Sequence, residues 1–559
     1  MSAADQTGRM GLHPAVEVRL ARLAPDQRGA ATAPPGPSLC VAPAGSGKTT
    51  TLVARAAWLV ATGVEPGGIR AITFNKRAAV ELAERLDAAL EPLGIAAGAV
   101  RVRTFHAMGR EILRDAGVPV EPLADRAAIL GQVAPWADAG AIAWLNTYIS
   151  RLKVGHGVAP DAVEADPEAG PAARAFVAYE ATVRATGGLD FDDLILRAIE
   201  TLQGRPALLA SWRGRCRELL VDEVQDVDRA QLELALLLAA PANRIFLVGD
   251  DDQSIYGWRL ADVRRILGLE DRLPGLRRVD LEVNYRCPAP VVERAVRLVE
   301  HNEERFAKRI VAGPAAEGRL VLAPDPSDEV VSLARAVRTW PDDGTTRAIL
   351  ARTNRELLPA VAVALELDLP FRAARIELPL ESDLVDDLLD RADLAAADGR
   401  ESPLLVLGRV RAMIAGSAAH PVADPVAADG TCAALLGWAA SYRTLGDLRE
   451  AIVTTRRRLA ELRRDDASLT LATAHATKGL EFDHVIVLGM EIGRFPSARA
   501  VSQSDDPGRA YEEERRLGYV AWTRARRSLT LLYDPTVPSP FLAEAFTPTE
   551  LGTDATMDA

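Results

Sequence analysis

Between positions 42 and 49 the chain reads Ala-Pro-Ala-Gly-Ser-Gly-Lys-Thr, a spacing that leaves the backbone few choices. The glycines let successive N–H groups turn inward around a phosphate, and a helix starting at the end of the loop adds its positive N-terminal dipole. Lys48 is placed to reach the β- and γ-phosphates of a nucleoside triphosphate, and the Thr49 hydroxyl to ligate Mg²⁺. Ser38-Leu39-Cys40-Val41 reads as a short buried strand before the loop, and residues 50–60 read as a helix after it. That strand–loop–helix context is what the motif requires. Ala44, Gly45, Ser46, Gly47, Lys48, Thr49 and Thr50 are therefore the expected phosphate cradle. Ala42 stands where the generic pattern has its first glycine.

A length of 559 residues predicts several domains. No apolar run approaches the ~20 residues that cross a bilayer, and the charged N-terminus carries no signal-peptide core, so the expected location is the cytoplasm. The four cysteines are far apart and the seven histidines are scattered, which disfavours a disulfide framework, a zinc site or an iron–sulfur cluster. A net charge of −12 argues mildly against a nucleic-acid partner. A basic groove can sit on an acidic protein, so charge decides nothing here.

Short β-rich runs alternate with helical patterns from residue 41 to residue 250, at 69–74, 100–104, 218–221 and 244–248. This is the signature of a parallel sheet built from βαβ units. The stretch 115–188, with Trp136, Trp144 and Tyr148, has no strand-like run and reads as a helical insert. A second α/β pattern has strand candidates at 319–322, 348–351, 469–473 and 484–488, split by a helical insert at about 379–464. The first ~20 residues and the stretch from 546 onward read as frayed ends.

Leu219-Leu220-Val221-Asp222-Glu223 is an apolar strand ending in two adjacent carboxylates. Asp222 can hold Mg²⁺ through its waters, and Glu223 can take a proton from an attacking water. Gly249-Asp250-Asp251-Asp252-Gln253 follows another strand, with Gln253 placed to sense a γ-phosphate or that water. Tyr256 and Trp258 beside Arg259 suit a base-stacking platform for a single strand; equally, the two aromatics could be core residues under a loop. Arg286 and Arg524 read as charge-stabilising fingers, of the kind that contributes ~10³–10⁵ in rate. If both reach a nucleotide at Lys48, that nucleotide sits between two α/β domains.

Together these segments resemble the superfamily 1 DNA helicases of the UvrD/Rep/PcrA type, in order and over nearly the whole chain. In that family alanine at the position of Ala42 is normal. The resemblance assigns Gln27 and Tyr285 to adenine, and Glu481 to positioning the ribose or the motor. It assigns Phe74, Thr104, His106, Tyr256, Trp258, Arg259, His475 and Lys478 to DNA. Asn75-Lys76-Arg77 departs from the commoner Thr-Asn-Lys, and Cys287 replaces a serine. Leu189-Asp190-Phe191-Asp192-Asp193-Leu194 and the Asn302/Arg305/Lys308 spacing are further hallmarks.

The implied fold is two RecA-like parallel-sheet domains, each interrupted by a mainly helical insert, the second insert shortened. The implied boundaries are 1–114 and 189–285 for the first RecA-like domain around insert 115–188, then 286–378 and 465–545 for the second around insert 379–464, with a flexible tail at 546–559. The resemblance implies an ATP- and Mg²⁺-dependent 3′→5′ helicase acting on single-stranded DNA and on junctions with duplex, with no membrane association and no evident tail for protein partners. Two alternatives stay open: a translocase that clears proteins or RNA with little unwinding, and a regulatory ATPase indifferent to DNA.

Overall fold

The computed structural model describes residues 12–166, 168–314, 316–373, 379–396, 401–416 and 425–552. They form two compact units, one of residues 1–316 with 506–519, the other of 317–505 with 520–559. No helix among the described residues is long and apolar enough to cross a membrane.

The first unit is built on a six-stranded parallel sheet in the order β3-β2-β4-β5-β1-β6. Its strands are β1 (Ser38–Val41), β2 (Ile69–Thr73), β3 (Arg101–Thr104), β4 (Glu218–Val221), β5 (Ile245–Gly249) and β6 (Arg277–Asp280). Every residue of β1, β2, β4 and β5 is buried, as expected for central strands covered on both faces. Successive side chains alternate between two cores. Leu39, Val41, Leu219, Val221 and Leu247 pack on one side, and Cys40, Leu220, Phe246 and Val248 on the other. The edge strand β6 was not legible as a strand because its Arg-Arg-Val-Asp sequence carries three charges.

The expected helical insert forms helices Arg126–Val133, Ala139–Ser150, Pro160–Glu164 and Pro171–Ala185 with a π-helical turn at Arg151–His156. It has its own core around Leu130, Leu145, Ile149, Phe176 and Tyr179. Trp136 and Trp144 lie on its surface, and Trp144 stacks on Tyr148 at 5.1 Å.

Residues 286–314 pack with this first unit, beyond the boundary expected at 285. A short parallel ladder of β7 (Val283–Asn284) and β8 (Val311–Ala312) and the amphipathic Ala289–Val299 helix hold them there. The ends of the chain are also more ordered than expected. The Pro14–Ala21 helix buries Val16 and Leu20, an i,i+4 apolar pair. In the second unit Phe546 is buried against Trp522, followed by the Pro548–Leu551 helix. Residues 1–11 and 553–559 lie outside the described residues.

The second unit carries its own six-stranded parallel sheet, in the order β11-β12-β10-β13-β14-β9. Its strands are β9 (Arg319–Pro324), β10 (Arg347–Ala351), β11 (Phe371–Arg372), β12 (Leu469–Thr473), β13 (Phe482–Val487) and β14 (Ala525–Tyr533). The second insert folds as helices Asp383–Ala395, Pro403–Gly416, Pro425–Ala439 and Leu445–Leu462 around Leu388, Val406, Leu435 and Leu448.

In the first unit the Phe105–Asp115 helix meets the Asp193–Gly204 helix at Gly109, where a Cβ would collide with the Leu194 carbonyl oxygen. Overpacking of this kind costs about 1–3 kcal/mol. Gly109→Ala should therefore lower the urea midpoint of the unfolding transition, while Gly131→Ala, whose Cβ meets nothing within 4 Å, should not.

Candidate nucleotide site and nucleic-acid groove

Four adjacent strands, β4-β5-β1-β6, end at one edge of the first sheet, and each hands a sequence-predicted segment to that edge. The loop after β1 is fixed at its root by the Ala42 N–H, which donates to the Gly249 carbonyl at 2.8 Å. Gly45 and Gly47 have φ of 69° and 85°, left-handed values that favour glycine. The crowding is as restrictive as the torsions. A Cβ on Gly45 would lie 2.6 Å from Asn284 Oδ1, and one on Gly47 would lie 2.7 Å from Gln27 Nε2.

Gln27 clasps the loop, donating from Nε2 to the Ser46 carbonyl at 2.7 Å while its Oε1 accepts from the Ala24 N–H. Opposite it, the Tyr285 N–H donates to the Gly45 carbonyl at 2.9 Å. The buried Tyr519 hydroxyl accepts from the Ala44 N–H at 3.3 Å. Lys48 is half-buried, its Nζ donating to the Ala42 carbonyl at 3.3 Å. The Ser46 hydroxyl and the Asn284 side-chain N–H₂ are buried without a protein partner. Such leftover polar capacity fits a polyanionic ligand better than an apolar one.

Arg286 is half-buried beside this loop, its Cβ 2.7 Å from where a Cβ on Gly45 would stand. It belongs to the same unit as Lys48, not to a second α/β domain as the sequence suggested. The cause is Asn284, whose Oδ1 accepts from the N–H groups of Arg286 and Cys287 at 2.8 and 2.9 Å and turns the chain against the loop.

At the end of β4, Asp222 is buried, and burial first, then neighbouring Glu223, push its carboxyl up to about 7; Lys48 opposes the shift. Glu223 has φ of 52°, a strained value for a residue with a Cβ. Gln225 spans to the next strand, donating from Nε2 to Glu223 Oε2 at 2.5 Å and accepting at Oε1 from the Asp250 N–H at 3.0 Å. A Cβ at Gly249 would collide with that Oε1. Gln253 in turn donates to Asp250 Oδ2 at 2.7 Å.

Beneath these groups Lys308 is buried among Asp250, Asp251 and Asp252, and Arg305 grips Asp252 with two bonds of 3.0 and 2.9 Å. Burial works against a charged Lys308, but the three carboxylates outweigh it and hold its pKa above the ordinary lysine value.

The other two strands, β2 and β3, end in a cavity of about 470 Å³ lined by Phe74, Lys76, Arg103, His106, Arg110 and Phe191, among others. Asn75 caps the Lys76–Leu90 helix through the Ala78 N–H, and Thr104 caps the Phe105–Asp115 helix through the Ala107 N–H. Lys76 and Arg77 stand exposed in the first turn of their helix with no acidic residue there, against the helix dipole.

His106 lies flat on Phe191 at 3.9 Å, and burial lowers its pKa to about 4. Phe74 stacks on Tyr256 at 5.2 Å and 11°. Trp258 meets Tyr256 edge-on at 6.2 Å, with Arg259 4.5 Å from the Trp258 ring centre. Trp258 is 53% exposed, so it is not a core residue under the loop; Tyr256 is half-buried.

In the second unit His475 and Lys478 are half-buried on and just after the Ala474–Thr477 turn. Burial, then Arg352 and Lys478, lower the His475 pKa to about 3. Glu481 is exposed and pairs with Arg526 at 3.2 Å. Arg524 is buried, donating to the Val520 and Leu480 carbonyls at 2.8 and 3.0 Å and to Thr523 Oγ1 at 3.1 Å.

Sequence reasoning missed four residues as participants: Gln225, Lys308, Tyr519 and Phe191. Lys308 and Phe191 sat inside strings already singled out, and Gln225 stands two residues after the paired carboxylates. Tyr519, on the Pro507–Trp522 helix, belonged to no motif that sequence reasoning had singled out.

The family model for the UvrD/REP helicase N-terminal domain matches residues 23–132 and 143–274. That for the UvrD-like helicase C-terminal domain matches residues 440–535. The chain is 31% identical to the ATP-dependent DNA helicase UvrD2 of Mycobacterium bovis, over 92% of this chain and 78% of that protein. It is 29% identical to DNA helicase II of Escherichia coli K12, over 91% of this chain and 84% of that protein. It is 27% identical to the ATP-dependent DNA helicase PcrA of Staphylococcus epidermidis, over 88% and 81%. With such likeness running almost end to end, and with the phosphate loop, paired carboxylates and aromatic groove gathered on one sheet edge, the chain belongs to the UvrD/REP helicase family.

Proposed function

We propose that this protein is an ATP-dependent DNA helicase that moves 3′→5′ on single-stranded DNA in the cytoplasm and opens junctions with duplex. The observation that carries this reading is the shared sheet edge. Strands β4-β5-β1-β6 present a phosphate cradle, β3-β2 present an aromatic, cation-rimmed groove, and residues 249–259 run from one to the other.

In this reading the loop N–H groups and Lys48 hold the triphosphate, and Gln27 and Tyr285 flank the base. Half-exposed Tyr285 offers a free ring face, whereas Gln27 already serves the loop through Ser46, so base reading and loop shape share one side chain. Thr49 and Asp222 would hold Mg²⁺, which supplies charge neutralisation on the phosphates. Glu223 accepts the proton of the attacking water, and Gln225 orients its carboxylate. Gln253, anchored on Asp250, senses the γ-phosphate. Arg286 stabilises the charge that develops on the transferred phosphoryl group by preorganised electrostatics. Arg524 and Glu481 are assigned to the same chemistry on their sequence context alone.

On the groove side, bases stack on Phe74, Tyr256 and Trp258, while Lys76, Arg77, Arg103 and Arg259 meet phosphates. Thr104 shapes the groove floor, and His106 contributes a flat face. His475 and Lys478 are assigned to DNA from their sequence string.

Three outcomes test this. Hydrolysis by the purified chain should rise strongly with single-stranded DNA and the stimulation should fade with salt; turnover indifferent to DNA would sink the motor reading. Glu223→Gln should lower kcat by about 10²–10⁴-fold with DNA affinity, read by anisotropy, kept within a few-fold, and Lys48→Ala should behave alike. Trp258→Ala should reduce DNA-stimulated turnover far more than basal turnover; equal loss of both would return Trp258 to a purely structural part.

A further inference from the structure

The groove's Phe191 is held by an unusual device. It lies between Asp190 and Asp192, 55% exposed, with its ring on His106. Its backbone is pinned on both sides: the Asp190 N–H donates to Asp193 Oδ2 at 3.0 Å, and the Asp193 N–H to Asp190 Oδ1 at 2.9 Å. The carboxylates are then gripped from the helical insert. Arg126, the first residue of the Arg126–Val133 helix, reaches Asp190 and Asp192, and its Nη1 donates to Ser150 Oγ at 2.7 Å. Ser150 donates to Asp192 Oδ2 at 2.6 Å, and the Tyr179 hydroxyl to Asp190 Oδ2 at 2.8 Å.

Lys153 sits on the π-helical turn, 6% exposed, with its Nζ 2.7 Å from Glu180, 2.9 Å from Asp190 and 3.0 Å from Asp193. Burial disfavours its charge, but these carboxylates keep it an ammonium. Arg229 donates to the Val154 carbonyl at 3.2 Å and ties the same turn to the Arg229–Ala239 helix.

Two cations and four carboxylates brought out of water add little net stability compared with apolar packing, and the best-attested use of such a cluster is to set register. Here four parts of the insert converge on four consecutive residues, and the one side chain among those four that faces the groove is Phe191. We propose that Lys153 and Arg126 are positioning residues for single-strand binding: through Asp190, Asp192 and Asp193 they hold Phe191 flat against His106 and tie the groove's stacking face to the placement of the helical insert. The inference rests on the reading of the groove as a DNA site.

The test is a double-mutant cycle in the full chain, with a dye-labelled oligo(dT) read by anisotropy at one fixed salt concentration. Lys153→Met and Phe191→Ala should each weaken binding about 5–10-fold, the low end of what one base–aromatic stack contributes. The double variant should bind no more weakly than Phe191→Ala alone. Lys153→Arg should restore most of the affinity, and DNA-independent hydrolysis by Lys153→Met should match wild type.

Losses that multiply in the double variant would mean that Lys153 acts independently of Phe191 and would overturn the proposal. So would Phe191→Ala binding as tightly as wild type, although the groove reading would survive. Failure of the wild-type chain to bind oligo(dT) in a salt-sensitive way would instead sink the reading underneath. Should Lys153→Met not fold, the same cycle with Asp192→Asn, which removes one charge at the rim of the cluster, decides the matter by the same criterion.

Discussion

The side chain of Gln225 spans two neighbouring strand ends, and the nucleotide side of the molecule is arranged around that span. One end of its amide meets Glu223 and the other meets the backbone of Asp250. Asp250 in turn anchors Gln253 and takes part of the Lys308 charge. The candidate proton acceptor and the candidate γ-phosphate sensor are thus registered to each other through three hydrogen bonds, within one unit. The span works only because position 249 has no Cβ. A glycine that looks like strand-end punctuation is a steric requirement of the site.

The same logic of close approach governs the phosphate loop. Gly45 and Gly47 need left-handed torsions, and each also faces a side chain that would tolerate no methyl group. Gln27 and Asn284 come from segments far apart in sequence, yet both shape the loop rather than merely lining it. A substitution at either would remove a side chain that packs directly against a glycine of the loop.

The sheet and the site differed in how far the sequence disclosed them. The buried central strands announced themselves as largely apolar runs, with β1 and β4 legible to the residue, because both faces are covered and only an occasional polar residue such as Ser38 or Glu218 is taken in. The edge strand β6 was not legible, since one exposed face lets arginines in. Motif residues such as Lys48, Glu223 and Gln253 were legible because their chemistry demands fixed spacing. Arg286 was legible as a residue but not in its place, since the turn set by Asn284 is a tertiary packing outcome. Lys153 was out of reach for a different reason: a lone lysine reads as solvated surface, and only the fold reveals carboxylates waiting for it. Lys308 was in view through its spacing from Asn302 and Arg305, but its burial among three aspartates was not.

His106 carries a consequence of its own. With its pKa brought down to about 4 by burial, the imidazole stays uncharged across the range in which cells live and behaves as a flat aromatic plate rather than a titrating cation. The positive charge lining the groove then belongs to lysine and arginine side chains such as Lys76, Arg103 and Arg110. In the proposed reading, a strand laid in the groove would meet at His106 an uncharged ring face, which adds contact area without adding to the groove's charge.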